Sequence, residues 1–196
     1  SEGLIMKRIV VVGGVAGGMS FATRYRRLNE DDHIIVLDKG PYVSFANCGL
    51  PYHISGEIEE RSDLLVADQT MLQNRFQLDI RVNHEVIHVD PELKELTVLH
   101  EGKESKVAYD SLVLSPGANP FIPDIEGMNL HPSVYTVRNI PDVDAIMTSL
   151  PSAKHVVVIG AGFIGLEMAE SLHNRGLRVS IIERESHVLG TFDEEL

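Results

Sequence analysis

A single cysteine stands among 196 residues, so no disulfide can close within the chain and no two-cysteine redox relay can operate in it. Basic residues are also scarce. Seventeen Lys and Arg face twenty-nine Asp and Glu, a net charge of −12 with no basic block, and such a surface repels a phosphate backbone. Nucleic acid is therefore not expected as a partner. No apolar run approaches the roughly 18 residues that span a bilayer, and the N-terminus lacks the charged-then-apolar order of a secretory signal. The expectation is a cytoplasmic protein. Residues 1–5 precede Met6-Lys7-Arg8-Ile9, where a first strand would begin, and they read as a leftover of expression. The nine histidines are scattered, and His53, five residues beyond the cysteine, does not make a metal-site spacing. No metal is expected.

What the chain does have is a repeat. Ile9-Val10-Val11-Val12 breaks into Gly13-Gly14-Val15-Ala16-Gly17-Gly18, and Asp38 closes the next apolar run, Ile34-Ile35-Val36-Leu37. Val156-Val157-Val158-Ile159 breaks into Gly160-Ala161-Gly162-Phe163-Ile164-Gly165, and Glu183 closes the run after that. In such a turn the first glycine permits the tight bend, the second lets backbone approach a pyrophosphate, and the third lets helix and strand pack closely. The helix N-terminus then offers N–H groups and the positive end of its dipole to phosphate. The second turn keeps all three glycines, whereas the first has Val15 in the middle. Asp38 and Glu183 are placed to accept from a ribose diol. A carboxylate there repels a 2′-phosphate, so Glu183 favours NADH, while Arg184 beside it leaves NADPH open. One fingerprint alone reads equally as a plain strand-to-helix turn; two, each in a βαβ context with its acid, point to two dinucleotides.

Between the turns, Asp68 can cap a helix reaching Phe76, and segments 85–90, 95–100 and 105–109 suggest an antiparallel meander. Leu112-Val113-Leu114 reads as a short buried strand ending at Ser115-Pro116-Gly117. From Asn119 to Pro132 there are prolines and no period, which puts a boundary there. A helix is expected from about Asp142 to Leu150. Residues 6–120 are thus one nucleotide domain, with a meander at about 85–109, and 121–196 are the start of a second. One βαβ unit of about 30 residues cannot cover both faces of a parallel sheet, so the second domain reads as incomplete.

The cysteine lies in Ser44-Phe45-Ala46-Asn47-Cys48-Gly49-Leu50-Pro51-Tyr52, with a short helix expected from about Asn47. An inert buried thiol is the default for a lone cysteine. Here Ser44 and Asn47 can cap, and a cysteine in a first helical turn has its thiolate stabilised. Lowering a thiol from about 8.5 to about 5.5 takes roughly 4 kcal/mol, whereas a helix terminus gives under about 1 and at best about 2. Another group must hold the charge, and a stacked flavin ring is the candidate. One thiolate can cycle only through a mixed disulfide, a persulfide or a sulfenic acid.

These residues resemble the flavoprotein pyridine nucleotide-disulfide oxidoreductases, in particular the single-cysteine branch of coenzyme A-disulfide reductases and NADH-dependent persulfide reductases. Ser44-Phe45-Ala46-Asn47-Cys48 is the most specific motif, and the likeness covers residues 6–196. The fold class implied is α/β: a Rossmann-like FAD-binding domain with an antiparallel β-meander, then an incomplete Rossmann-like NAD(P)-binding domain. The resemblance places FAD at Gly13, Val15, Ala16, Gly17, Gly18, Asp38, Lys39, Ser115 and Gly117, and NADH at Gly160, Gly162, Ile164, Gly165 and Glu183. It implies that Cys48 is catalytic, against the flavin. Ser20, Arg24, Arg27, Ser44 and Asn47 match positions that line a coenzyme A channel, and a family lysine falls at Phe76, with Arg75 adjacent.

The implied activity is NAD(P)H-dependent reduction of coenzyme A disulfide or persulfide, by a homodimer when full length. A sister branch, the NADH oxidases and peroxidases, cycles a sulfenic acid and carries a histidine where this chain has Ala16, and usually a serine where it has Asn47. A further alternative for the 196 residues alone is a fragment that holds nucleotide and catalyses nothing.

Overall fold

A computed structural model describes residues 5–128 and 131–190. Residues 1–4 of the expected leftover and 191–196 of the expected second domain lie outside them. The chain divides into two compact units, 5–45 with 65–118 and 46–64 with 119–190. Residues 46–64, continuous in sequence with the first nucleotide domain, thus cluster with the second βαβ unit.

The first unit is built on a parallel sheet in the order β3-β2-β1-β7. Its strands are β1 (Arg8–Val12), β2 (His33–Leu37), β3 (Leu78–Arg81) and β7 (Ser111–Leu114). β1 sits at the centre, with Val10 paired to Ile35 on one side and to Leu112 on the other. Its unbroken β-branched run follows from burial on both faces. On one face Ile9, Val11, Ile34, Val36, Leu78 and Ile80 pack with Met19 and Ala22 of helix α1 (Ala16–Leu28) and Leu72 of α3 (Gln69–Phe76). On the other, Val10, Ile35 and Leu37 pack with Leu96, Val98 and Val107 of an antiparallel sheet. Full burial of each such aliphatic is worth about 1.5–3 kcal/mol.

That second sheet runs β4 (Glu85–Asp90), β5 (Glu95–His100) and β6 (Lys103–Ala108), the expected meander. The β5–β6 connection is the two-residue turn Glu101-Gly102, with φ of +49° and +76°, the backbone sense that matches the twist of a hairpin. Asp68 caps α3 by accepting from Met71 N–H at 3.0 Å. Arg26 joins the C-terminal ends of two helices, donating to Glu30 O (2.9 Å), Phe76 O (2.8 Å) and Gln77 O (3.1 Å). It satisfies carbonyls that a helix end leaves without partners.

In the second unit a 3-10 turn, Asn47–Gly49, runs directly into α2 (Leu50–Ser55), which Gly56 ends at φ +93°. α4 (Ile140–Ser149) opens with a capping box between Asn139 and Asp142. β8 (His155–Ile159), α5 (Phe163–Asn174) and β9 (Arg178–Ile182) form the second βαβ, its two strands parallel. Val157, Ile159, Ile181 and Ile182 of that two-stranded sheet are 42–56% exposed, whereas Val10, Val11, Ile34 and Val36 of the first sheet are fully buried. Among the described residues no helix is long and apolar enough to cross a membrane.

Candidate functional site

The two glycine turns are built on one plan. Gly13 and Gly160 bend the chain at φ +96° and +98°, a conformation open to residues without a Cβ. Each donates its N–H to the last residue of the neighbouring strand, Leu37 O and Ile182 O, both at 2.8 Å. The next N–H of each turn donates to the acid that closes that strand: Gly14 to Asp38 Oδ2 and Ala161 to Glu183 Oε2, both at 2.7 Å. The acids thus brace the turn, a role that the twenty-residue spacing does not reveal. Asp38 also accepts from Gly40 N–H at 2.8 Å. Backbone donors hold the Glu183 carboxyl below the ordinary glutamate range, Glu185 N–H foremost and then Ala161 and Arg184.

The third glycine is fixed by packing. A Cβ on Gly18 would lie 1.7 Å from Gly13 O, and one on Gly165 would lie 2.0 Å from Gly160 O. The middle position differs. At Gly162 the backbone is extended (φ −77°, ψ −176°) and an added Cβ would meet nothing within 4 Å. The fold itself does not require glycine there, so the open space suits a group approaching from outside the chain. The N-termini of α1 and α5 fit the same purpose. Among the described residues no side chain caps either helix and neither has an acid in its first turn, whereas α3 and α4 are capped by Asp68 and Asn139. Their first N–H groups are left without side-chain acceptors, an arrangement able to receive an anion.

Around the first turn the structure gathers several of the expected residues. Ser115 N–H donates to Val12 O at 2.8 Å, and a Cβ on Gly13 would lie 1.9 Å from Ser115 O. Gly17 faces the Ser115 hydroxyl, at 2.7 Å from where its Cβ would be. Gly117, at φ +70°, carries the chain out of this contact. Ser44, with φ +53° although not glycine, donates its N–H to Gly14 O at 3.0 Å. Val15 is half-buried, Ala16 and Lys39 are exposed, and Ser20, Arg24 and Arg27 are exposed along α1. Arg27 and Arg75 both stand over the ring of Phe76, 5.6 and 5.5 Å from its centroid.

Asn47 and Cys48 lie in the second unit, exposed, in the 3-10 turn. Among the described residues no side chain caps that turn, and α2 is only six residues long, so the expected help from Ser44 or Asn47 as a cap is not found. Around the second turn Phe163 and Ile164 are 60% and 61% exposed. Arg184 is engaged with Glu185, Nη2 to Oε1 at 2.9 Å. Among the described residues no cluster of His, Cys, Asp and Glu is placed to hold a metal.

The sequence pattern of the pyridine nucleotide-disulphide oxidoreductases matches residues 7–196. The chain belongs to that family. Among curated members of this oxidoreductase family it is 38% identical to the coenzyme A disulfide reductase of Staphylococcus epidermidis, over 97% of this chain and 44% of that protein. Among solved structures it resembles reduced CoADR-RHD of Bacillus anthracis, with 46% identity and a TM-score of 0.94 over 97% of this chain and 35% of that one. The NAD-dependent persulfide reductase from A. fulgidus superimposes with a TM-score of 0.91 at 35% identity, over 96% and 36%. A water-forming NADH oxidase from Lactobacillus brevis, bound to NADH, gives a TM-score of 0.87 at 28% identity, over 94% and 41%. These neighbours share the α/β fold. The chain spans less than half the length of the curated relatives it matches.

Proposed function

We propose that the protein of which this chain forms part is an FAD-dependent NAD(P)H:disulfide oxidoreductase that reduces coenzyme A disulfide or coenzyme A persulfide through Cys48. The observation that carries this is the pair of glycine turns, hydrogen-bonded alike and each opening onto an uncapped helix N-terminus, in a family member whose one cysteine is exposed. Residues 6–120 would form the FAD domain, with the flavin dinucleotide held by Gly13, Val15, Ala16, Gly17, Gly18, Asp38, Lys39, Ser115 and Gly117. Residues 121–196 would begin the NADH domain, through Gly160, Gly162, Ile164, Gly165 and Glu183. Names of relatives that act on coenzyme A disulfide or persulfide support the substrate class. The carboxylate of Glu183, and an Arg184 already paired to Glu185, favour NADH over NADPH.

When bound, FAD supplies hydride acceptance from NADH and an electron pair to sulfur. The chain's own step is nucleophilic. Cys48 thiolate attacks one sulfur of the disulfide, the S–S bond breaks, one coenzyme A thiolate leaves, and Cys48 is left in a mixed disulfide. Two electrons and a proton then free the second thiol and restore the thiolate. With a persulfide, Cys48 takes the outer sulfur and the same two electrons release it as sulfide. Ser20, Arg24, Arg27, Ser44 and Asn47 would bind the coenzyme A moiety, the arginines by donating to phosphate.

A cytoplasmic homodimer is the expected setting of the full-length protein. For the 196 residues alone, the exposed apolar face of β8 and β9 favours a nucleotide-holding fragment without turnover. The test is Cys48→Ser in the full-length protein. NADH-dependent reduction of coenzyme A disulfide should vanish while bound flavin persists; full activity in the variant refutes the mechanism, and a peroxide-dependent turnover by the parent in place of disulfide reduction would favour sulfenic acid chemistry.

A further inference from the structure

Cys48 sits two residues before α2, and α2 is too short to hold its own position: isolated helices below about 12–15 residues are marginal in water. What fixes this segment is a set of contacts from the rest of the second unit. Ile54 is fully buried near the C-terminal end of α2, where a helix leaves its last carbonyls without partners. Arg175, the residue that ends α5, donates its Nε–H to Ile54 O. Its guanidinium also reaches Met147 Sδ of α4 at 3.7 Å. Farther along, Arg61 makes a two-pronged pair with Asp144 of α4, Nε to Oδ1 at 2.7 Å and Nη2 to Oδ2 at 2.8 Å. Beside the first anchor, the buried His53 ring Nδ1 meets Ile58 O at 2.7 Å. Residues 54–61, which follow Cys48, are thus tied at one end to α5 and at the other to α4.

α5 is also the helix that leaves the second glycine turn. Its twelve residues span about 18 Å at 1.5 Å per residue, with the nucleotide turn at one end and Arg175 at the other. We infer that Arg175 is a positioning residue for Cys48: its bond to the end of α2 makes the cysteine segment and the nucleotide-turn helix one rigid piece. This rests on the reading of Cys48 as the redox sulfur. The hydrogen bonds of the Arg175 side chain among the described residues go to Ile54 O and Met147 Sδ, not to Cys48. Its effect passes through α2.

The experiment uses the full-length flavoprotein with Arg175→Met, which keeps an unbranched apolar stem and removes the donors, and Arg175→Lys, which keeps a charge and a donor. Misplacing a reacting group by about 1 Å can cost about 100-fold, so Arg175→Met should lower kcat for NADH-dependent disulfide reduction by roughly 10- to 100-fold. Reduction of the flavin by NADH without disulfide should stay within about twofold, and Arg175→Lys should recover part of the loss, a split that a general loss of stability does not produce. Alkylation of Cys48 by iodoacetamide, measured on whichever variants fold, supplies a second reading: its rate should change in Arg175→Met and move back in Arg175→Lys. Should Arg175→Met not fold, Arg175→Lys and Arg175→Gln carry the same comparison, Gln showing the larger change. The inference is overturned if the variants keep wild-type kcat and alkylation rate, or if flavin reduction falls as much as disulfide turnover. Should Cys48→Ser itself retain turnover, it is the proposed function that fails, and the alkylation comparison still decides whether Arg175 places the thiol.

Discussion

Gly162 and Gly165 lie three residues apart in the same turn, yet the structure gives them opposite reasons to be glycine. Gly165→Ala drives a Cβ to 2.0 Å from Gly160 O and 3.0 Å from Gly160 C, and both obstacles are backbone held by the β8–β9 pairing. Overpacking of this kind typically costs about 1–3 kcal/mol, and more where nothing can yield. Gly162→Ala adds a Cβ with nothing within 4 Å, at a backbone conformation any residue adopts. Such a change is neutral or stabilising by about 0.4–1 kcal/mol, because the unfolded chain loses freedom. Binding should invert the order. On the proposed reading a methyl at Gly162 would stand in the path of a pyrophosphate, so Gly162→Ala should weaken NADH by about tenfold or more, equivalent to about 1.4 kcal/mol. The assay pairs urea unfolding of the full-length protein, followed by circular dichroism, with NADH titration of each variant. Wild-type NADH affinity in Gly162→Ala, or an unchanged urea midpoint in Gly165→Ala, refutes the assignment of one glycine to the ligand and the other to the fold.

Two further outcomes follow from the chain's own bonds. Asp68→Ala removes the side-chain cap of α3 and should cost about 1 kcal/mol, read as a shift of the urea midpoint at unchanged slope. The hydrogen bond from Arg61 is the largest cause holding the Asp144 carboxyl below its ordinary value of 3.8, so this group favours the folded state above that value and loses its contribution as pH falls through the lower folded-state value. Both side chains are about 40% exposed, which limits the effect to about 1 kcal/mol or less. Asp144→Asn should therefore flatten the stability profile below about pH 4 and leave its shape near neutrality unchanged; an acid limb identical to wild type would contradict this.

Much of the fold was legible because its signals are local. A β-branched run ending in glycine marks β1 and β8, Asp68 marks the start of α3, and the alternating segments mark the meander, whose third strand begins at Lys103, two residues before the expected 105. β3 escaped. Its four residues Leu78-Asp79-Ile80-Arg81 do alternate buried and half-buried, but neither glycine nor proline separates them from α3. The break is Gln77 in a left-handed conformation (φ +48°), which sequence does not announce in a residue other than glycine or asparagine. Of the candidate site, the bend at Gly13 and Gly160, the close packing at Gly18 and Gly165 and the position of the strand-end acids were readable from spacing. What the acids do was not, since Asp38 and Glu183 turn back onto Gly14 and Ala161 across 24 and 22 residues.

The same limit explains why residues 46–64 could not be placed from sequence. Arg61 meets Asp144 across 83 residues and Arg175 meets Ile54 across 121, and nothing in composition or period links such partners. Yet, on the inference drawn for Arg175, these contacts help decide how firmly Cys48 is held. A thiol in an exposed 3-10 turn, ahead of a six-residue helix, cannot be kept in register for attack by its own neighbours. The glycine turns, by contrast, are each determined within one βαβ unit, by a bend, a close helix packing and one carboxylate. Turns of this kind are thus local and repeatable, which is why the chain holds two. The surroundings of Cys48 differ: a short motif marks the cysteine, but the contacts that follow it, Arg175 to Ile54 and Arg61 to Asp144, are tertiary. Substitutions far from Cys48 in sequence, at Arg175 above all, should therefore disturb its chemistry more selectively than they disturb either glycine turn.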